Sequence, residues 1–225
     1  WKNRDQLAAV LFCTGKHTRD QPARLTVPFG SLEGCEALGF FLKREGGTTL
    51  LIGPREASDA VQSGMGQPTW RTSYDQRLYI CRSPTVGPTL KLRHGAPEDA
   101  EDIIAMTGAM MEEDLGMNPL KADPIRHRAS TINRIINKRI LVGEYEHELS
   151  FLVNVGTHFK RGAQVGGTYV PAHLRGRGMA TRGMRSICHR LLKTTEMVTL
   201  HVNEANTAAI RCYEAVGFQR ATPMR

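Results

Sequence analysis

The stretch Thr168-Tyr169-Val170-Pro171-Ala172-His173-Leu174-Arg175-Gly176-Arg177-Gly178-Met179-Ala180 lies between a strand-like segment and the most clearly amphipathic part of the chain. After Gly178, the residues Ala180, Met184, Ile187, Cys188, Leu191 and Leu192 recur at three- and four-residue spacing with cations between them, which predicts a helix with one core face and one basic face. Glycines at the start of such a helix let a ligand approach the backbone. The unpaired N–H groups of the first turn then face that ligand with the positive end of the helix dipole behind them. A pyrophosphate suits the arrangement. A glycine pair before a helix also occurs for steric reasons alone, so the surrounding sequence has to decide.

Working outward, Val198, Leu200 and Val202 alternate with Thr199 and His201 as a half-buried strand does. Asn206 is placed to cap a helix over 207–215 that Gly217 ends, and Phe218 opens a last strand. Upstream, Ser83-Pro84-Thr85-Val86-Gly87-Pro88 reads as an irregular linker. Beyond it the pattern predicts a short strand around Leu90 and Leu92, a helix opened by Pro97-Glu98-Asp99 and running to about Met111, and a second helix over 125–137. Strands are predicted over 140–144, 149–157 and 165–170, with turns at Glu146-His147-Glu148 and Lys160-Arg161-Gly162. The first 82 residues suggest helix, strand, helix, strand over 31–43, 48–52, 56–64 and 77–81, and carry no catalytic signature. The expectation is an α/β protein with a smaller N-terminal α/β domain over 1–88 and a second domain over 89–225.

With 225 residues, of which 40% are hydrophobic and 23% charged, the composition is that of soluble globular proteins. No apolar run approaches a membrane span and no signal peptide is recognisable, so a cytoplasmic location without membrane partners is expected. The five cysteines (Cys13, Cys35, Cys81, Cys188, Cys212) are scattered without a C-x-x-C pair, which argues against a metal site or disulfide framework. The net charge of +8 is concentrated. Residues 149–195 contain no Asp or Glu but hold Lys160, Arg161, Arg175, Arg177, Arg182, Arg185, Arg190 and Lys193. Such a block is either a solvated helix face or an attractor for a polyanion, whether nucleic acid, an acidic membrane or a phosphate-bearing cofactor. Nucleic acid is the less favoured partner, because only Phe159 and Tyr169 are there to stack on bases.

Arg175-Gly176-Arg177-Gly178-Met179-Ala180 resembles the Q/R-x-x-G-x-G/A element of the GNAT N-acetyltransferases, preceded by that family's hydrophobic-x-hydrophobic-Pro strand end. Asn203, Asn206, Ala209, Tyr213, Gly217 and Phe218 resemble the family's later strand and helix, and 92–100 its first strand and helix. The whole chain is similar to a bacterial GNAT group with an N-terminal domain of unknown function, through Gly53-Pro54-Arg55-Glu56-Ala57, Pro68-Thr69-Trp70-Arg71 and residues 112–119. The resemblance implies a mixed, mostly antiparallel sheet flanked by helices, acetyl-CoA as cosubstrate, no metal, and direct transfer of an acetyl group to an amine on a small molecule or a protein.

The resemblance further implies that amides over 175–180 (Arg175, Gly176, Arg177, Gly178, Met179, Ala180) hold the CoA pyrophosphate, with Arg175, Arg177 or Arg182 supplying charge. Peptide groups at Thr168 and Val170 would pair with the pantetheine arm, a backbone N–H near Val170 would polarise the thioester carbonyl, and Asn203 and Asn206 would be polar neighbours. Asn206 reads equally well as a plain helix cap. Tyr213 is the candidate acid for the departing thiolate. A thiol pKa of about 8.5 lies below the phenol's roughly 10, so orienting the sulfur is an alternative role, and packing in the core a third. Many relatives carry a glutamate on the strand matching 164–170, where this sequence has no Asp, Glu or His. His158, His173, His201, Glu144, Glu204 or a water relay remain for the base, and Glu112, Glu113 and Asp114 for attracting a cationic acceptor or simply facing solvent. The missing glutamate also leaves room for a non-catalytic acyl-CoA sensor or interaction module.

Overall fold

The computed structural model describes residues 2–3, 6–15 and 25–225. Short strands β1 (Lys2–Asn3) and β2 (Gln6–Leu7) pair with each other, and β3 (Ala9–Thr14) pairs antiparallel with β4 (Leu25–Gly30). Helices α1 (Leu32–Arg44) and α2 (Arg55–Gly64) follow, then β5 (Gln76–Cys81) and β6 (Leu92–His94). A 3-10 turn at Pro97–Asp99 leads into α3 (Ala100–Leu115), α4 (Pro119–Ala122) and α5 (Pro124–Ile136). The chain continues through β7 (Ile140–Tyr145), β8 (Glu148–Phe159), β9 (Gly162–Tyr169), α6 (Met179–Leu191), β10 (Val198–Asn203), α7 (Thr207–Val216) and β11 (Gln219–Met224). The main sheet has the order β11-β5-β10-β9-β8-β7-β6. Two compact units are formed, one of Trp1–Leu78 with His201–Ala205 and Arg220–Arg225, the other of Tyr79–Leu200 with Asn206–Gln219.

In the first unit α1 and α2 touch backbone to backbone. A Cβ on Gly39 would lie 2.3 Å from the Val61 carbonyl oxygen, and one on Gly64 would lie 2.0 Å from that of Glu36, so only glycine permits the approach. Cys35, Leu42, Ala57, Val61 and Met65 form the core with Ala9 of β3. The expected strand over 48–52 is reduced to isolated bridges at Thr48 and Leu51, the latter parallel to Thr26. Gly46 and Gly47 with positive φ precede it and Gly53-Pro54 follow, which leaves no length for a ladder. The β3–β4 pair was not legible because Val10, Leu11, Phe12 and Cys13 are apolar on both faces and give no two-residue period.

The second unit packs helices on both faces of β6 to β9. Ile103 and Met106 of α3 and Ile135 of α5 cover Ile140, Val142 and Leu152. Gly183 lets α6 descend on β8, since a Cβ there would stand 2.6 Å from the Phe151 ring. The segment 83–88, read as a linker, is held by buried Arg185, which donates to the Thr85 and Pro88 carbonyl oxygens at 3.0 and 2.7 Å. One cation of the basic block is therefore structural. Caps follow the sequence signals: Asp123 accepts from the Arg126 N–H at 3.0 Å with Pro124 next to it, Asn206 accepts from the Ala209 N–H at 3.1 Å, and Gly217 ends α7 with φ 106°. Among the described residues no helix is long and apolar enough to cross a membrane.

Candidate active site

The site is built where β9 stops pairing on one side. β9 and β10 run parallel only through Val198↔Ala163 and Thr199↔Gln164, whereas β9 stays paired with β8 as far as Leu152↔Tyr169. The edge of β9 beyond Gln164 thus has no registered partner in β10. Within this stretch an extra residue enters β9 between Gly166 and Tyr169, and Gly167 takes φ 59° there, a left-handed conformation that glycine adopts without penalty. The bulge resets the direction of Thr168 and Tyr169.

After Val170 the chain makes a 3-10 turn (Ala172–Leu174) and reaches α6 through Gly176 and Gly178, both at φ 76°. Nothing lies within 4 Å of where a Cβ on Gly176 would be, and only Arg182 Nε, at 3.8 Å, near that of Gly178. Gly178 is the N-cap residue and offers no side-chain cap, so the first amides of α6, from Met179 onward, have no partner from a cap. Arg175, Gly176, Arg177 and Gly178 are exposed, while Met179 is buried and anchors the helix start. An open, uncapped, positively polarised helix end next to an unpaired strand edge fits a pyrophosphate with an extended arm.

The arginines of the turn differ in their engagements. Arg177 stacks over the Tyr145 ring, 5.8 Å from its centroid, and Arg182 lies beside Gly178. Arg175 turns the other way. Its Nε donates to the Val170 carbonyl oxygen at 3.0 Å, its NH2 donates to both oxygens of Glu113 at 2.9 and 2.8 Å, and it lies over the Tyr169 ring. The Tyr169 hydroxyl also donates to Glu113, at 3.2 Å. Glu113, which the sequence offered only as part of a polar helix end, thus ties the end of α3 to the turn; a separation of 62 positions leaves no local signal for it.

Tyr213 projects from α7 and is half-buried, with its ring 5.8 Å from that of Phe218. Burial pushes its phenol up to about 12; hydrogen bonding to Thr168 works against the shift, and the negative charges of Cys212 and Asp114 add to it. The phenol is therefore a protonated donor throughout the neutral range. Asp114, on the last turn of α3, is itself raised, first by desolvation and then by the neighbouring charge of Glu113, with Arg175 opposing. Thr168, Tyr213 and Asp114 are thus electrostatically in touch. Asn206 caps α7, and Asn203, in the other unit, accepts from the Ala205 N–H at 2.9 Å.

Four of the five candidate bases are engaged elsewhere. Glu144 accepts from Arg93, Glu204 pairs with Arg77 at 2.7 Å, His158 bonds Thr194 at 3.0 Å, and His173 faces Glu148 at 2.9 Å. The fifth, His201, is pulled down by burial. No group of three or more metal-ligating side chains is assembled among the described residues.

Residues 141–225 match the family described as FR47-like protein. No curated protein matches the sequence. Among solved structures, a GNAT-family acetyltransferase from Colwellia psychrerythraea is similar over 100% of this chain and 82% of its own, at TM-score 0.64 and 11% identity. A GCN5-related N-acetyltransferase from Sphaerobacter thermophilus is similar over 96% of this chain and 74% of its own, at TM-score 0.58 and 16% identity. The fold is therefore that of the GNAT superfamily of acetyltransferases, a mixed and mostly antiparallel sheet flanked by helices.

Proposed function

We propose that this protein is an N-acetyltransferase that moves an acetyl group from acetyl-CoA directly to an amine. The observation that carries the reading is the uncapped N-terminus of α6, opened by Gly176 and Gly178 beside the edge of β9 that β10 leaves unpaired. The amides from Met179 onward hold the pyrophosphate, with Arg177 and Arg182 flanking it. Peptide groups of Thr168 and Val170 face the pantetheine arm, and Asn206 serves chiefly as the cap of α7. The thioester supplies the activated acetyl group. Tyr213, kept protonated by its surroundings, gives its proton to the departing thiolate and regains one from the new amide nitrogen. No cysteine serves as nucleophile in this reading: Cys188 is fully buried in α6 with its thiol pushed up by Cys81 and by burial, and burial pushes the half-buried Cys212 thiol up as well.

The test is release of CoA thiol from acetyl-CoA on addition of amines to the purified protein. Amine-dependent release that falls on replacing Tyr213 by Phe supports the enzyme. Binding of acetyl-CoA with no release for any amine supports the sensor reading, which the absence of an acid on β9 favours.

A further inference from the structure

The cations of residues 149–195 fall into separate groups in the fold. Arg175 is paired with Glu113, Arg185 is buried against 83–88, and Arg177 and Arg182 stand at the turn into α6. The others, Lys160, Arg161, Arg190 and Lys193, lie at the opposite end of the strands, where β8 finishes, β9 begins and α6 runs out. Lys138 and Arg139, in the connection from α5 to β7, join them. Hydrogen bonds knit this end together. The Val155 N–H donates to the Arg139 carbonyl oxygen at 2.7 Å, the Glu196 N–H donates to that of Lys160 at 3.0 Å, and Arg190 donates to His94 Nε2 at 2.9 Å. All of these residues belong to the second compact unit.

These six cationic side chains are exposed, and none is ion-paired among the described residues. Helix ends explain part of the charge. α5 and α6 both stop here, and each C-terminus presents the equivalent of about half a negative charge, which matches about one of the four cations that follow them. Lys160 and Arg161 sit on a strand turn with no helix end of their own. The acids at this end are Glu196 and, in the first turn of α3, Glu98 and Asp102, which the positive end of that helix meets. The β8–β9 turn and the end of α6 therefore keep a positive surplus that nothing in the described chain answers.

An aromatic ring stands among these charges. Phe159, directly before Lys160, is 57% exposed, and its neighbour His158 is exposed as well. Tyr169, by contrast, is committed to Glu113 and Arg175. Lys138 adds a second irregularity: it takes φ 54°, the left-handed position after α5 where glycine is the unstrained residue. A cation is carried there at a backbone cost.

We propose that this end of the second unit binds a single-stranded nucleic acid, with Lys160, Arg161, Arg190 and Lys193 on its phosphates and Phe159 stacked on one base. Cations that follow a backbone beside an exposed ring are what such a strand requires, because every base has a face to stack. Two of the arginines are held in place, Arg139 by the Gly156 carbonyl oxygen at 3.2 Å and Arg190 by His94, which suits discrete phosphates. A lipid surface is engaged by an apolar helix face, whereas α5 and α6 reach this end by their C-termini. The 13 residues of α6 put about 20 Å between this surface and the turn at Gly178, so the two anion sites are distinct and neither needs the other.

The test is fluorescence anisotropy of a labelled oligouridine about 20 nucleotides long with the full chain, in salt from about 50 to 200 mM. Three phosphates engaged at about 0.7 ions each give a log–log slope of about −2, a loss of roughly 20-fold across that range. Replacing Lys160 and Arg161 together by Ser should make the slope shallower by about 1.4, and Lys193→Ser, on a different element, by about 0.7. Phe159→Ala should weaken binding at least about fivefold at unchanged slope. Millimolar coenzyme A should leave binding as it is. No binding by about 100 μM protein at the lowest salt, a slope that neither Ser variant changes, or displacement by coenzyme A overturns the proposal. Wild-type affinity in Phe159→Ala, or a duplex of equal length bound as tightly, overturns the single-stranded assignment. Tighter binding to vesicles of phosphatidylserine in phosphatidylcholine, or to polyglutamate, assigns the surface to a membrane or an acidic protein and overturns it as well.

Discussion

Replacing Gly178 by Trp and by Ala separates the two things this residue does. Its φ of 76° is left-handed, so any side chain costs about 1–2 kcal/mol of backbone strain, which at about 2–4 °C per kcal/mol for a chain of this size lowers the melting temperature by about 2–8 °C in either variant. The space above it differs for the two. A Cβ meets only Arg182 Nε, at 3.8 Å, so Ala leaves the first amides of α6 open, whereas an indole covers them. Acetyl-CoA at about 100 times its dissociation constant contributes about 2.7 kcal/mol, which raises the melting temperature by about 5–10 °C in wild type. The Ala variant should show the lower baseline with the full shift, and the Trp variant the lower baseline with a shift under about 2 °C. Scanning fluorimetry with and without ligand reads all of this. A Trp variant that keeps the full shift would refute the placement of the pyrophosphate, and a wild type that does not shift at millimolar ligand would refute cofactor binding altogether.

Four further outcomes follow from the geometry. Tyr213→Phe should lower kcat by about 100-fold or more without changing the acetyl-CoA shift, and because the phenol titrates at about 12, the wild-type rate should show no alkaline fall from this group below about pH 11; a loss under about threefold means that Tyr213 only packs. Gly183→Val drives a methyl into the Phe151 ring and should cost about 1–3 kcal/mol, read as a lower urea midpoint at constant slope; an unchanged midpoint contradicts the close approach of α6 to β8. Arg185→Met removes two charge-assisted bonds to the Thr85 and Pro88 carbonyls and should destabilise by about 3 kcal/mol, with faster amide exchange over 83–88 as its signature; exchange there as slow as in wild type removes the pinning role. Asp114→Asn should stabilise the ligand-free protein at pH 7. The folded-state pKa of Asp114 is raised, so its stability contribution is whole below the ordinary carboxylate range near 3.9 and is lost as pH rises through the raised value; the gain in melting temperature should fade towards pH 4, and a variant less stable at neutral pH would show the carboxylate to be structural.

What the sequence disclosed and what it withheld divide along physical lines. Helices α3, α5, α6 and α7 and strands β7 to β10 could be read because their periods and caps are local: the Asn206 side chain reaches only to Ala209, and the Gly178 turn is complete within a few residues. The same holds for the turn through Gly176 and Gly178, whose geometry is set by two left-handed glycines close together in the chain. The junction of β8 and β9 was not legible, because its geometry depends on bulges, which are mismatches in count between two strands and leave no mark on either one alone. Gly156, Gly166 and Gly167 read as weak points in strands until the register shows that two of them offset each other's bulge and the third faces Asn154. The absent strand glutamate looks different in this light. β9 carries no acid of its own, and at Gly166 nothing lies within 4 Å of where a Cβ would be. The carboxylate that meets this strand comes instead from α3, where Glu113 accepts from Tyr169 of β9 and pairs with Arg175 across 62 positions, a contact that no local pattern announces.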